Sequence, residues 1–354
     1  MLMTILEQGL IYGILALGLL ITYRILDFPD LTVDSSFPLG AAVSAVLTVN
    51  GVHPALSLLA ATLAGAVAGL VTGLIHVKCK VRDLLSGIIT MTGLYSINLR
   101  IAGKANVPLF ANETLFKSSF TKSLPAAVAP YATLVMILII ALLAKLLLDW
   151  FLKTKAGYLL RAAGDNPAVV TTLARDQGSV KIVGLMIANA LVSLAGAVLC
   201  QQQRFFDISM GTGTMVIGLA SVIIGTNLFK HASFVKSTTA VLVGSIIYKA
   251  CVSVALAMGM ESQDMKLVTA VLFLLILVAG TMPLSVIRSC SSRMRSTSLA
   301  SLAAWGAGCC FGVRFGMARV LSFRQNRCAG QCKTRLYPDS MPRWYAFLCT
   351  EGRD

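Results

Sequence analysis

Charge is scarce in this sequence. Only 13% of its 354 residues are charged, while 56% are hydrophobic and the mean hydropathy is +0.80. A soluble domain carries about 25% charge, so a water-soluble globule is excluded. Acidic groups are scarcer still, with 15 Asp and Glu against 30 Lys and Arg and a net charge of +15. The surplus is not a nucleic-acid footprint. The basic residues sit in short loops, as cytoplasmic loops of membrane proteins require, and no aromatic platform is interleaved with them. Histidine is limited to His53, His76 and His231, with neither a Ser/His/Asp set nor an H-E-x-x-H run. No catalytic residue and no metal ligand set is expected. No G-x-x-x-x-G-K-[ST] occurs, and the glycine-rich stretch 211–225 lacks the lysine that reaches phosphates. The chain itself is therefore not expected to bind ATP in that way, and no cofactor is expected on it. Cys79, Cys200 and Cys251 are scattered and imply no disulfide framework. Ionisable residues inside the apolar runs are nearly absent, which disfavours an internal proton or sodium pump. Lys249 is the main exception, read as a helix-end or bundle-facing residue with backbone partners.

What is present is an all-α polytopic transmembrane bundle in a lipid bilayer. Apolar runs at 9–23, 54–77, 84–99, 131–152, 180–201, 214–229, 237–258 and 266–287 predict eight spans. The first is a retained helix rather than a signal peptide, because Glu7 precedes it and no Lys or Arg does. With the N-terminus outside, loops 78–83, 153–179 and 230–236 and the end at Arg288 all fall on one side, and all are basic. Residues 101–129 form the main external loop. Gly65, Gly69 and Gly73 recur on one face of the 54–77 helix, where close helix packing in lipid needs small residues. Lys145 and Asp149, four apart, can pair or snorkel to the interface.

Residues 24–38 place Asp27, Asp30 and Asp34 with Pro29 and Pro38 between apolar runs. Two readings stand: a solvated loop, or a broken membrane element whose free backbone groups line a path. The following apolar run, Leu39 to Val49, has eleven residues, too short for a full span, which favours the second. Candidate path residues are Thr32, Asp34, Ser35 and Ser36, with Asn98 and Asn189 from packed helices. Polar groups in a membrane bundle face either a path or another helix.

The longest polar stretch between strong apolar segments is 153–181, with Lys153, Lys155, Arg161, Arg175 and Lys181. It reads as two short helices. The first runs from about Lys155 to Ala163 and stops at Gly164. Asn166 caps the second, with Pro167 at its first position, and Val169, Val170, Leu173 and Ala174 share one face. Gly178 ends it, and Ser179 caps the next membrane helix. A structured basic loop with a small apolar face is built to dock on something.

The stretch Arg161-Ala-Ala-Gly-Asp-Asn-Pro-Ala168, with Ala174, Gly178 and the helix after it, resembles the cytoplasmic coupling region of bacterial ABC importer permeases of the branched-chain amino acid and ribose branch. Residues Leu26 to Gly40 are similar to an N-terminal segment of that branch, closest to small-solute permeases of the tryptophan type. The resemblance covers about 1–287. It implies a subunit of the bacterial inner membrane, paired as a homodimer above two ATP-binding cassette ATPase subunits and fed by an extracytoplasmic solute-binding protein. ATP would be hydrolysed on the partner. The helix at 167–177 would dock in a groove on each ATPase, with Val169, Val170 and Leu173 as the apolar contact and Arg161, Arg175 and Asp176 orienting it. The solute would be an amino acid or a similar small polar molecule. Two other classes stay open: an ion-coupled secondary transporter using the broken segment, and a membrane scaffold without flux.

From about Ser289 the chain changes character. Ten Arg and one Lys follow from Arg288 onward, against six Arg and thirteen Lys before it, and six of nine cysteines lie there. A metal site would need paired C-x₂₋₄-C ligands, and only Cys328 and Cys332 have that spacing. The remaining readings for 288–354 are a basic cytoplasmic tail or a shifted reading frame. The Arg-for-Lys switch and the loss of periodicity favour the frame shift, and no function is assigned to this tail.

Overall fold

The computed structural model describes residues 2–110, 112–116, 129–165, 177–229 and 236–257, with the short helical pieces 269–271 and 273–274. In chain order the elements are α1 (Leu2–Leu19) running into a π-helical turn (Leu20–Ile25), α2 (Val33–Val49), α3 (Pro54–Lys78), α4 (Asp83–Ala102), β1 (Asn106–Pro108) and α5 (Ala129–Leu152). There follow α6 (Lys155–Asp165), α7 (Gln177–Gln203), β2 (Phe205–Asp207), a 3₁₀ turn (Ile208–Gly211), α8 (Thr214–Leu228) and α9 (Ser237–Ala257). Seven helical segments among the described residues are long and apolar enough to cross a membrane, and Val33–Val49 is a shorter apolar helix. The eighth expected span, 266–287, lies almost wholly outside the described residues, as do the tail from 288 and its cysteines.

Helix ends gather into two sets. At the basic end, His76 Nε2 lies 3.5 Å from Lys181 Nζ, and Asp149 meets Lys236 at 3.5 Å. At the far end, β1 and β2 pair antiparallel, with Asn106 opposite Asp207 and Pro108 opposite Phe205. There Asn112 Nδ2 also donates to the Thr48 carbonyl at 3.3 Å. This is the pattern of helices crossing alternately. Asp149 pairs across to α9, accepting from Thr238 Oγ1 at 2.8 Å as well, rather than with Lys145 on its own helix.

Lipid gives helices no hydrophobic reason to associate, so contact rests on close fit. The broadest seam joins α3 to α7. Gly65 faces Asn189 and Ser193, Gly69 faces the Leu185 backbone, and Gly73 faces Ile182. Ser193 Oγ donates across this seam to the Ala61 carbonyl at 2.7 Å. α1, with the π turn the most enclosed span, contributes Ile11, Ile14, Leu15 and Leu19, and the π turn Leu20, to the main apolar cluster, with Phe37 and Val192. The outward faces of α3, α4 and α5 leave Leu63, Ile89, Leu143 and Leu147 exposed, as a lipid-facing surface would.

Three local expectations change. Helix α2 begins at Val33, not Leu39, and carries Pro38 inside it. Pro38 lacks the N–H that the Asp34 carbonyl would accept, and Gly211 packs against that carbonyl and the proline ring. Gly164 does not stop the first loop helix, which runs on to Asp165. Gly178 and Ser179 already lie inside α7, so neither ends nor caps a helix at that point. Glycine costs a helix only about 1 kcal/mol, and the packing of a long helix outweighs that.

Candidate functional site

The segment 26–36 is largely threaded through the bundle, with Asp27 and Pro29 left exposed. It is delivered there by local backbone chemistry. The π turn ends with the Leu26 amide on the Ile21 carbonyl at 2.9 Å, and Asp27 turns the chain with φ +50°. Asp tolerates this left-handed region better than most residues. The chain then re-enters the bundle. Phe28 is buried, its ring edge-on to His76 with centroids 5.2 Å apart.

Asp30 is 1% exposed. Its carboxylate accepts from the Thr32 amide at 2.9 Å and from Asn189 Nδ2 at 2.8 Å. No cation among the described residues pairs with it. Thr32 Oγ1 lies 3.1 Å from Thr72 Oγ1 on α3. Ser35 Oγ donates to the Met91 carbonyl on α4 at 2.8 Å, and Asn98 Nδ2 donates back to the Ser35 carbonyl at 3.0 Å. The segment is thus stitched to α3, α4 and α7. Ser36 Oγ, Asn98 Oδ1 and Asn189 Oδ1 are buried without a protein partner. Unsatisfied polar atoms of this kind are costly in a dry bundle and tend to mark working sites.

Asp34 faces a second break. After the 3₁₀ turn, Gly213 adopts φ +85°, a conformation that suits glycine, and α8 starts at Thr214. Asp34 accepts from the Gly213 amide at 3.3 Å, the Thr214 hydroxyl at 3.0 Å and the Met215 amide at 2.8 Å. Its charge therefore sits on the N-terminus of a broken helix, where the helix dipole favours an anion. Among the residues singled out by polarity, Thr32 and Asn189 meet through Asp30 and Ser35 meets Asn98, while Asp34 bonds the 213–215 break and the Ser36 hydroxyl has no protein partner.

Three features escaped the sequence reading. Asp30, not proposed for the path, is the most enclosed acid of the segment. Its presence in the same broken stretch as Asp34 was the available signal. A second polar knot joins Gln201 Nε2 to Ser57 Oγ at 2.8 Å, Ser44 Oγ at 3.0 Å and the Pro54 carbonyl at 3.2 Å; a glutamine at a span end gave no hint of it. Among the described residues Lys249 finds no backbone carbonyl. Its Nζ stands 4.0 Å over the Tyr12 ring, a cation–π contact.

The first helix of the basic loop, α6, is fastened to this segment. Thr154 Oγ1 accepts from the Gly157 amide at 3.4 Å, capping α6. Leu160 is buried with Leu26, Phe28, Leu152 and Leu185. Gly164 lies directly on the Ile25 carbonyl, so close that a Cβ would overlap it. Arg161 is exposed on the same helix. Asn166, Pro167, Val169, Val170, Leu173, Arg175 and Asp176 lie outside the described residues.

Comparison with known proteins follows this geometry. The family described as branched-chain amino acid transport system / permease component matches residues 1–279. The chain is 45% identical over 282 residues to a tyrosine transport system permease protein of Clostridioides difficile, covering 80% of this chain and 92% of that one. It is 31% identical over 274 residues to an uncharacterized protein of Rickettsia prowazekii, covering 76% and 94%. It is 27% identical over 279 residues to the ribose import permease protein of Escherichia coli, covering 77% and 83%. No solved structure gives a significant match. This helical bundle, matched over nearly its whole membrane part, belongs to the branched-chain amino acid permease family of ABC transport systems.

Proposed function

We propose that this chain is the membrane-spanning subunit of an ABC-type importer for an amino acid or a similar small polar solute. Two copies would enclose the path in the bacterial cytoplasmic membrane, with an ATPase subunit beneath each and an extracytoplasmic solute-binding protein above. Residues 1–287 carry the function and 288–354 contribute none. One observation carries the reading. Helix α6 seats Leu160 and Gly164 on Ile25 and Leu26, four residues before Asp30 and its bond to Asn189. A push on the loop is therefore delivered to the polar segment. Asp30, Asn189, Thr32 and Ser36 offer acceptors and hydroxyls suited to an ammonium or hydroxyl group of a solute. A tyrosine permease among the relatives supports an amino acid.

The test is solute-stimulated ATP hydrolysis in lipid, with the chain co-purified with the ATPase encoded beside it. Val170→Asp with Leu173→Asp is expected to abolish stimulation, a fall of at least about tenfold, since burying two carboxylates in an apolar contact costs several kcal/mol. The bundle itself should still purify and melt normally. Coupled transport that survives this double change would refute the docking role. The second reading, an ion-coupled secondary transporter, is favoured by one feature, the buried Asp30 without a cation. It predicts uptake without any ATPase and collapse of uptake by ionophores.

A further inference from the structure

At the basic end, a cleft of about 560 Å³ opens between the π turn, the end of α5, α6 and the start of α9. Arg24, Lys153, Arg161 and Lys236 line it, with Asp149 as the one acid among the described residues. Asp149 is already engaged by Lys236 and Thr238. Arg24, Lys153 and Arg161 have no carboxylate partner among the described residues. The back wall is apolar, made by Leu20, Ile25 and Leu152. A counter-anion with an oily attachment fits both halves of this lining.

The surroundings say where such an anion comes from. The outward face of α5, through Leu142, Leu146 and Leu147, runs straight to Trp150, which is 70% exposed beside Asp149. Tyr158, 61% exposed, lines the cleft itself. Exposed Trp and Tyr at the end of a lipid-facing stripe mark the headgroup level of a bilayer. Basic pockets between membrane helices on the cytoplasmic side suit phosphate headgroups. We propose that this cleft holds the phosphate of an anionic phospholipid from the adjoining leaflet, with Arg24, Lys153 and Arg161 on the phosphate and the acyl chains along α5. The lipid would then touch the loop helix α6 and the π turn together, and so set how firmly they sit on each other.

The test places the full chain, with Trp305→Phe and Trp344→Phe so that Trp150 alone emits, in phosphatidylcholine vesicles. Dibrominated phosphatidylglycerol or dibrominated phosphatidylcholine is then titrated in as quencher. The anionic lipid is expected to quench Trp150 at lower mole fraction. Its preference should fall about fivefold with Arg24→Gln, and about fivefold again when Lys153→Gln is added. Lys80→Gln, at the same end but outside the cleft, should leave the preference intact. These cations are exposed, so the variants should keep their melting temperature. Equal quenching by the two lipids, or a preference that survives both changes, overturns the proposal. Loss of the preference on adding inorganic phosphate at constant ionic strength would also overturn it, by assigning the cleft to a free anion. Equal quenching combined with weakened ATPase binding in Arg24→Gln would make the cleft a protein contact instead.

Discussion

Replacing Gly196 by valine is expected to prevent recovery of a folded bundle. Gly196 sits in α7 where a Cβ would overlap the Phe37 carbonyl oxygen of α2, and Gly40 meets the Ser193 carbonyl on the same seam. Backbone cannot rotate aside as a side chain can. The cost should therefore exceed the roughly 1–3 kcal/mol usual for overpacking, against a total stability of about 5–15 kcal/mol. Gly93 in α4 supplies the contrast, since nothing lies within 4 Å of an added Cβ there. Gly93→Ala should be neutral or stabilise by up to about 1 kcal/mol, the helix-propensity difference. Yield of monodisperse protein and the thermal midpoint in detergent measure both. A Gly196→Val protein that purifies and melts like the parent would mean that α2 and α7 do not touch there.

The second large effect concerns Asp34. Asp34→Ala strips a partner from two amides and a hydroxyl at the start of α8. These bonds are half-buried, so the loss should be about 1–3 kcal/mol. Asp34→Asn keeps an acceptor oxygen and forfeits mainly the charge–dipole term, about 1 kcal/mol. Thermal midpoints should fall in the order parent, Asn, Ala. Hydrogen exchange at residues 213–215 should quicken in the same order. If Asn and Ala match the parent in both measurements, the carboxylate does not hold the broken helix.

Much of the fold was legible in composition and hydropathy alone, because a bilayer demands long apolar helices and little else. The positions of the spans followed from that demand. The partners did not. Pro38 and three aspartates left 24–38 open to both a loop and a broken element, since sequence cannot say whether Asp34 will meet water or a helix N-terminus. Asp30 became distinctive only through Asn189, 159 residues away. Gly164 and Gly178 misled in the opposite direction. Each is a helix stop by local rule, yet each lies inside a helix, Gly164 where its missing side chain admits the Ile25 carbonyl. Long-range packing decided these positions, and a single chain read in order carries no record of it.

The small ribbon of β1 and β2 has a mechanical meaning. It is extended at both ends by backbone bonds, Leu109 to Arg204 at 2.9 Å and Ile208 to Ala105 at 3.0 Å. Paired strands resist sliding, so the outer ends of α4 and α7 are fastened together. Bodies fastened at one end and pushed at the other swing about the fastening. If the loop is pushed as proposed, the ribbon is the fulcrum of a lever whose arm is about one α2 length, some 25 Å for 17 residues. Displacement shrinks toward the fulcrum. Under the proposed push, the loop helix α6 is expected to travel farther than the level of Asp30.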